Sequence, residues 1–333
     1  MQRMRGAGKK PLQVLVFNKH GIGHMVRVTQ FPKPGETVPA LEWKFGEDGG
    51  KGTNVAVALG KQGVGTAFIG KVGDDEGGRI GKKWMEEAGV DLSHYTMSTE
   101  AKTDVGVVII REDGENMVIG SPRHPCFLSL EEVKGAIDDF SGAGYFVSGL
   151  EVDQALPLAA CRYAKERGMV TLFNASPLHR TFPDSMEYVD YLFVNELEGM
   201  ELAGMEPADT GKSQNWFQEP EEHENWLQVA ATVWKRYRPG MVVMTLGSHG
   251  CILCRGGRCT RLPSYKVRCV DTVAAGDGFL AAFTAGLVWG MSPEQAADWG
   301  NRYAAVVVER EGAILSYPTL EEARALSVNF KKR

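Results

Sequence analysis

Short apolar runs alternate with amphipathic helical runs along most of the 333-residue chain, and this alternation limits the folds open to it. Residues 66–72 are apolar and of strand length, and the segment after them places Ile80, Trp84 and Met85 on one face of a helix. Strands that alternate with helices form a mainly parallel sheet flanked by helices. We therefore predict an α/β fold with a doubly wound sheet. Further strands are predicted at residues 12–17, 145–148, 170–173, 191–194 and 242–246.

Two segments interrupt this rhythm. Residues 25–29 and 40–45 are predicted strands, and residues 105–110 and 116–119 form a predicted antiparallel hairpin. Because both groups break the α/β pattern, we expect them to join in a small inserted β-sheet that forms a lid over the main domain. The predicted core comprises residues 11–17, 47–100 and 123–330, and the predicted lid comprises residues 18–46 and 101–122.

Composition and charge exclude several classes of protein. With 43% hydrophobic residues the chain can bury a sizeable core, and its net charge of −5 argues against a nucleic-acid partner. Residues 1–10 are basic and are expected to form a flexible tail. The apolar run that follows is too short for a signal peptide or a membrane helix. We therefore expect a cytoplasmic protein with no membrane partner.

The six cysteines are expected to be reduced, because the chain shows no secretion signal. Cys251, Cys254 and Cys259 lie near His249, a spacing that raises the question of a zinc site. However, the three cysteines fall in a predicted β-hairpin that turns at residues 255–258, and Cys251 and Cys254 point to opposite faces of its first strand. The sequence therefore argues against zinc.

Residues 270–279 combine an anion site with a carboxylate. Small residues stand where an apolar helix begins, so its first backbone N–H groups are open to a ligand. Asp277 lies in that first turn. A carboxylate would repel a bound phosphate, unless it accepts a proton from the group that attacks the phosphate. The alternative is that Asp277 only complements the dipole of its helix.

Polar residues follow four of the predicted strands at the point where each strand ends. They are Glu151, Asn174, Asn195 and the pair at residues 247–248. In open parallel sheets the carboxyl ends of the strands form the ligand-binding edge, so a ligand site is predicted there. The acidic insertion at residues 205–226 contains Thr-Gly-Lys-Ser, but it lacks the first glycine and the preceding strand of a P-loop.

Two segments, in this order, closely resemble the signature regions of the ribokinase-like (PfkB) carbohydrate kinase family. The first is Gly-Gly-Lys-Gly-Thr-Asn at residues 49–54, and the second is Asp-Thr-Val-Ala-Ala-Gly-Asp at residues 271–277. Between them the α/β pattern resumes, and one strand ends in Asn-x-x-Glu at residues 195–198. The resemblance extends over nearly the whole chain, and it implies the ribokinase-like version of the α/β fold.

The resemblance implies transfer of the γ-phosphoryl group of ATP to a primary hydroxyl, with Mg²⁺ and a monovalent cation, usually K⁺. The turn at residues 31–38 is similar to that of family members that convert D-ribose to ribose 5-phosphate, so ribose is the first acceptor to consider. A fructose-type sugar, a modified sugar, a nucleoside and a non-catalytic sugar-binding regulator stay open. A homodimer through the lid is also implied. A nicotinamide dehydrogenase is excluded, because no Gly-x-Gly-x-x-Gly follows the first strand.

The resemblance also assigns roles to residues of the two motifs. Asp277 matches the catalytic base, and the backbone N–H groups of Ala274, Ala275 and Gly276 match an anion hole. The residues matched to the sugar site are Gly50, Lys51, Asn54 and Glu151. The alternative for Asn54 is a polar residue in a first helical turn, the alternative for Lys51 is a solvated surface lysine, and the alternative for Glu151 is an exposed helix-start glutamate.

Asn195 and Glu198 match a motif that organises Mg²⁺ through water. The alternative is a helix cap at Asn195 with Glu198 in the first turn. The residues matched to the nucleotide site are Asn195, Thr245, Gly247, Ser248, Gly250, Gly276 and Asn301. The residues matched to K⁺ ligands, largely through backbone carbonyls, are Asp271, Val273, Val307, Arg310, Gly312 and Ser316.

The chain departs from the family pattern at one place. Where the family has an Asn-x-Asp segment whose aspartate holds two sugar hydroxyls, this chain has Gly21 and Gly23. Glu47 and Asp48 directly precede the first glycine motif. We expect Asp48 or Glu47 to supply the missing carboxylate, or the acceptor to differ from ribose.

Overall fold

A computed structural model describes residues 11–113, 115–120, 128–152, 155–178, 182–183, 185–205 and 222–333, without the side chains of residues 222–225. The expected tail (residues 1–10) and most of the acidic insertion (residues 206–221) lie outside this part of the chain. Its strands are β1 (Val14–Phe17), β2 (Gly21–Val28), β3 (Glu42–Asp48), β4 (Thr66–Gly73), β5 (Tyr95–Ser98), β6 (Asp104–Arg111), β7 (Asn116–Ile119), β8 (Tyr145–Gly149), β9 (Val170–Asn174), β10 (Tyr191–Val194), β11 (Met241–Thr245), β12 (Cys251–Arg255) and β13 (Arg258–Leu262). Its α-helices are α1 (Gly50–Lys61), α2 (Glu76–Glu87), α3 (Leu130–Asp139), α4 (Ala155–Glu166), α5 (Glu196–Ala203), α6 (Glu222–Tyr237), α7 (Ala275–Val288), α8 (Pro293–Val308) and α9 (Leu320–Ser327).

Nine strands form the main sheet, in the order β13-β12-β11-β10-β9-β8-β1-β4-β5. All neighbours from β11 to β5 are parallel, while β12 and β13 add an antiparallel hairpin at one edge. The predicted α/β fold with a mainly parallel sheet is therefore confirmed.

Both faces of the main sheet are buried. Along β1, Val14 and Val16 belong to one hydrophobic core, and Leu15 and Phe17 belong to the other. Helices α1, α7 and α8 contribute to the first core, and α3, α4 and α6 contribute to the second. Successive side chains of a strand point to opposite faces, so a continuous apolar run such as β1 fits a strand covered on both sides.

The four interrupting strands join in a second sheet, in the order β3-β2-β6-β7. Strand β2 pairs in parallel with β6, and the two outer pairs are antiparallel. The prediction that these segments form one small sheet is therefore confirmed, although β2 begins at Gly21 and β3 continues to Asp48, both beyond the predicted strand ends. The pairing of Gly21 with Asp104 explains the early start of β2. The division of the chain into core and lid domains stays a prediction.

The hairpin of β12 and β13 corrects the expectation of reduced cysteines. Cys251 and Cys254 lie in different cores, as the strand geometry predicts. Cys254 stands opposite Cys259 with 4.0 Å between their Cα atoms, and the two form a disulfide. The expectation is therefore wrong for this pair, because the tight turn brings the two side chains together across the hairpin.

Within the described part of the chain, none of the helices combines the length and the apolar character that crossing a membrane requires.

Candidate active site

The helix that begins at Ala275 lacks a side-chain cap. In contrast, α3, α5, α8 and α9 each begin with a capping box, in which side chains bond the first backbone groups. A Cβ added to Gly276 would meet no atom within 4 Å, so this first turn faces open space. The Ala275 N–H donates to the Thr272 carbonyl in a long bond of 3.3 Å, and N–H groups at such an open helix start are suited to bind an anion.

The loop before α7 is held in an unusual conformation. Ala274 has a φ of 60°, in the left-handed region that side chains other than glycine seldom adopt. The hydroxyl of Tyr317 donates to the Ala274 carbonyl at 3.1 Å. The buried Asp271 carboxylate accepts from the backbone N–H groups of Val273 at 3.0 Å and Gly312 at 3.2 Å. These contacts fix the loop so that the uncapped N–H groups keep one orientation.

Asp277 is 5% exposed, beside those N–H groups. Its Oδ2 accepts from the Asn54 amide at 2.9 Å, and its Oδ1 lies 3.9 Å from the Lys51 ammonium. Burial raises the pKa of Asp277, the charge of Asp48 adds to the rise, and Lys51 and the Asn54 hydrogen bond oppose it. A buried carboxylate with a raised pKa is a stronger base than an exposed one.

The Asn54 side chain connects this carboxylate to the first glycine motif. Its Nδ2 donates to Asp277 Oδ2 at 2.9 Å and to Asp48 Oδ1 at 2.8 Å, and its Oδ1 accepts from the Gly49 N–H at 3.2 Å. Asn54 is 2% exposed, so it is a buried part of a network and more than a polar residue in a first helical turn.

Lys51 pairs with carboxylates, unlike the solvated surface lysine of the alternative interpretation. Burial lowers its pKa, but the charges of Asp277, Glu151, Glu198 and Asp48 outweigh burial, so the pKa of Lys51 is raised. The ammonium group therefore stays charged beside the buried Asp277.

Glu151 binds the start of α1. Its two carboxylate oxygens accept from the N–H groups of Lys51 at 2.9 Å and Gly52 at 3.1 Å, where the helix has no cap of its own. Burial raises its pKa to about 7, opposed by the charge of Lys51 and these hydrogen bonds. Glu151 therefore positions the first glycine motif and is not an exposed helix-start glutamate.

Asn195 and Glu198 form the capping box of α5. The Asn195 side chain accepts from the Glu198 N–H, and Glu198 Oε2 accepts from the Asn195 N–H, both at 2.8 Å. The same Glu198 is 8% exposed and lines a cavity of about 70 Å³ together with Lys51, Gly276 and Asp277. Burial raises the pKa of Glu198. A buried carboxylate oxygen on such a cavity fits an indirect Mg²⁺ ligand, and the cap itself is also present.

A larger cavity of about 500 Å³ also borders the α7 start and shares Asn195, Thr245 and Gly276 with the smaller one. A volume of this size suits a small-molecule ligand. All the residues matched to the nucleotide site line it, namely Asn195, Thr245, Gly247, Ser248, Gly250, Gly276 and Asn301. The Asn301 amide is held by the Pro263 carbonyl at 3.2 Å.

Sequence reasoning missed other residues that line this cavity. Ala304 and Ala305 follow Asn301 at helical spacing, a signal that could have revealed them. Glu196, whose pKa is raised to about 7 by burial, directly follows Asn195 at the predicted ligand-binding edge, which could have revealed it. Asn116 of the small sheet gave no signal, because its position depends on contacts between distant segments.

Of the residues matched to K⁺ ligands, Val273 and Gly312 bond the side chain of a third, Asp271. Backbone N–H groups bond Asp271 to the Val308 carbonyl at 3.2 Å and Arg310 to the Val307 carbonyl at 3.0 Å. Gly312 has a φ of 81° and donates to the Asp271 carboxylate. Ser316, also matched to K⁺, donates its hydroxyl to the Ala313 carbonyl at 2.6 Å. The guanidinium of Arg27, on β2, lies 3.5 Å from the same carboxylate.

The small sheet touches the loop before α7. Its Met25, Val108 and Ile110 form a cluster that packs against Val273. The Asn116 amide donates to the Thr272 hydroxyl at 3.0 Å. One face of the small sheet therefore packs on the loop directly before the candidate anion hole.

Asp48 and Glu47 point to different places. A Cβ on Gly23 would lie 2.7 Å from Asp48 Cβ and 3.1 Å from its Oδ2. Glu47 Oε2 lies 3.3 Å from the position that a Cβ on Gly312 would take. Of the two carboxylates, Asp48 therefore faces Asn54 and Asp277, whereas Glu47 faces the loop at residue 312.

Comparisons with known proteins agree over nearly the whole chain. The family model for pfkB family carbohydrate kinases matches residues 22–320. The ribokinase of Staphylococcus aureus is 27% identical over 312 residues, which are 93% of this chain and 98% of that enzyme. The crystal structure of Cryptococcus neoformans ribokinase in complex with ADP has a TM-score of 0.79 at 25% identity, covering 95% of this chain and 99% of that one. Arabidopsis thaliana ribokinase complexed with ribose and ATP has a TM-score of 0.75 at 25% identity, covering 96% and 99%.

Proposed function

The chain belongs to the pfkB family of carbohydrate kinases and is a phosphotransferase that acts on a sugar hydroxyl, and we propose that it transfers the γ-phosphoryl group of ATP to the primary hydroxyl of D-ribose. The ribokinase relatives and the ribose and ATP complex support this acceptor. Another sugar, such as a fructose-type or modified sugar, or a nucleoside is the alternative acceptor.

One observation carries the proposal. The buried Asp277 lies in the first turn of the uncapped helix α7, within hydrogen-bonding distance of Asn54 from the first glycine motif. A base and an anion site therefore share one helix start, where an attacking hydroxyl and a phosphoryl group can meet. A protein that only binds sugar has no need of this base.

In the proposed reaction Asp277 accepts the proton of the acceptor hydroxyl as its oxygen attacks phosphorus. Such general base catalysis typically contributes a factor of about 10² to 10⁴. The N–H groups of Ala274, Ala275 and Gly276 hold the negative charge that spreads over the transferred group. The Lys51 ammonium, 3.9 Å from Asp277, adds a positive charge on the same side.

We assign the cavity of about 500 Å³ to the nucleotide of ATP and the cavity of about 70 Å³ to its phosphates. Asn195 and Glu198 would hold Mg²⁺ through water, and Mg²⁺ supplies charge neutralisation at the phosphates when bound. The loop carbonyls at residues 271, 273, 307, 310, 312 and 316 would hold K⁺. ATP as the donor is consistent with an enzyme of the cytoplasm.

The small sheet is proposed to be a lid and a homodimer contact. Its inner face covers Val273, and closure there would exclude water from the transfer. Seven large apolar side chains of this sheet and the loop beside it are exposed, namely Leu41, Trp43, Phe45, Val105, Met117, Val118 and Ile119. Such an apolar surface is typical of a protein interface.

An ATP-consumption screen against sugars and nucleosides tests the function. We expect the wild-type protein to phosphorylate ribose, and we expect Asp277→Asn to lower kcat by a factor of about 10² to 10⁴. Because the raised pKa of Asp277 shows that its ionised form is disfavoured in the fold, the variant should unfold at the same temperature as the wild type or higher. Full activity in Asp277→Asn would refute the mechanism, and turnover of no acceptor would favour a sugar-binding regulator.

A further inference from the structure

Strand β3 contains an irregularity directly before the first glycine motif. Its register against β2 pairs His24 with Phe45 but Gly23 with Asp48, so residues 46 and 47 are extra. Gly46 lies in this bulge with a φ of 79°. Bulges of this kind redirect the side chains that follow them and are common beside active sites. Here the bulge brings Asp48 opposite Gly23.

Glycine is the only residue type that fits at position 23, opposite Asp48, in this register. Any Cβ at position 23 would stand 2.7 Å from the Asp48 Cβ, a distance that requires one strand to move. The backbone of Gly23 itself lies outside the left-handed region, so the lack of space requires the glycine. Asp48 therefore occupies the volume that a side chain from β2 would otherwise fill.

Asp48 interacts with charges of both signs, since Lys51 attracts it and the buried Asp277 repels it. It shares the Asn54 amide with the buried Asp277, which sets two carboxylates on one –NH₂ group. Like charges at this spacing destabilise each other. Asp48 is half-buried, with Oδ1 held by Asn54 and Oδ2 turned over Gly23. Such an arrangement is useful where a ligand brings hydroxyl donors to the Asp48 carboxylate.

We propose that Asp48 is the specificity-determining residue of the acceptor site, and that its carboxylate accepts hydrogen bonds from hydroxyls on carbons other than the phosphorylated one. The ligand class is a polyhydroxylated sugar whose remaining hydroxyls are free. Gly23 and the bulge at residues 46–47 are the structural conditions for this role. The inference rests on the proposed function and deepens it, because it names what the enzyme recognises besides the reacting hydroxyl.

Steady-state kinetics of Asp48→Asn tests the proposal, with ribose, 2-deoxyribose and fructose as acceptors. Loss of hydrogen bonds to a charged group should raise KM for the preferred acceptor about tenfold to a hundredfold, with a smaller change in kcat and in KM for ATP. An acceptor that lacks the contacted hydroxyl should lose less affinity in Asp48→Asn, so the KM values of the different acceptors should become more similar. Glu47→Gln is the matched control, since its carboxylate faces residue 312, and it should keep the acceptor KM.

A relocated carboxylate provides a second test. Gly23→Asp alone should bind acceptor poorly and unfold more readily, because the two aspartates overlap. The double variant Gly23→Asp, Asp48→Gly removes that overlap and should recover most of the acceptor affinity that Asp48→Gly loses. A double variant that is no better than Asp48→Gly, at the same melting temperature, would contradict the proposal.

The two proposals fail in different ways. A wild-type enzyme that phosphorylates sugars while Asp48→Asn keeps the wild-type acceptor KM overturns the role of Asp48 and leaves the kinase function intact. A wild-type enzyme that phosphorylates none of the acceptors overturns the proposed function, and the role of Asp48 with it.

Discussion

At the scale of single residues, the site depends on charges that burial makes costly. Asp277 is held ionised only by partners that offset burial, chiefly Lys51 and the Asn54 amide. Asp48 acts in the opposite direction, because its negative charge favours the protonated form of Asp277. The basicity of Asp277 is thus set by a balance between a cation and an anion on either side of one amide.

The pH dependence of kcat/KM should report this balance. Activity should fall as pH drops through the pKa of Asp277, because the protonated carboxyl cannot accept a proton. Lys51→Gln removes a charge that lowers this pKa, so the acid limb should move to higher pH. Asp48→Asn removes a charge that raises it, so the limb should move to lower pH. Shifts in the same direction for both variants would contradict the electrostatic account.

At the scale of elements, the start of α7 has been left without the cap that most neighbouring helices possess. Ser292 and Gln295 cap α8, and Thr319 and Glu322 cap α9. Small residues at α7 leave its N–H groups for a ligand, and the loop is held from outside by Tyr317 and Asp271. The helix start therefore lacks the stabilisation that a cap provides, and it presents a binding surface instead.

Two glycines of α7 should separate binding from packing. Gly276→Ala meets no atom, so stability should stay the same or rise by up to ~1 kcal/mol, while its methyl group enters the phosphate site and raises KM for ATP. Gly286→Ala places a Cβ 3.0 Å from Ala296 and should destabilise the fold by about 1–3 kcal/mol without changing KM for ATP. Urea unfolding and ATP kinetics measure both effects, and a Gly276→Ala enzyme with normal KM would count against the anion hole.

At the scale of the whole molecule, the outer face of the small sheet is more apolar than an isolated surface needs. Trp43 is 63% exposed and Ile119 is 58% exposed, on opposite edges of the same sheet. Their strand partners, Val26 and Val107, alternate with the inward-facing Met25 and Val108, so both side chains lie on the outer face. A dimer at this face would also hold the sheet that covers the reaction site.

Light scattering after size-exclusion chromatography tests this contact. The wild-type protein should be a dimer, and Trp43→Lys should raise the dimer dissociation constant about thirtyfold or more, as loss of a tryptophan that anchors an interface typically costs about 2 kcal/mol. Val328→Lys changes a residue that is 70% exposed on another surface, so it should leave the dimer intact. A wild-type monomer at micromolar concentration would exclude the proposed interface.

Much of this fold was predictable because its signals are local. Apolar runs such as β1 and capping residues such as Ser292 specify elements within a few positions of the chain. The two glycine motifs likewise identified both helix starts of the site. The early start of β2 and the disulfide of Cys254 were not predicted, since they depend on pairing between strands that local pattern does not specify.

By itself, the sequence determined the α/β order, the helix starts and the candidate base Asp277, because periodicity and backbone sterics act over short segments. Tertiary structure alone decided which carboxylate joins that base. Glu47 and Asp48 are adjacent in the chain and chemically similar, and only the bulge in β3 turns Asp48 towards Asn54 and Glu47 towards Gly312. The bulge results from strand pairing across the small sheet, and the position of a side chain past it depends on contacts between segments far apart in sequence.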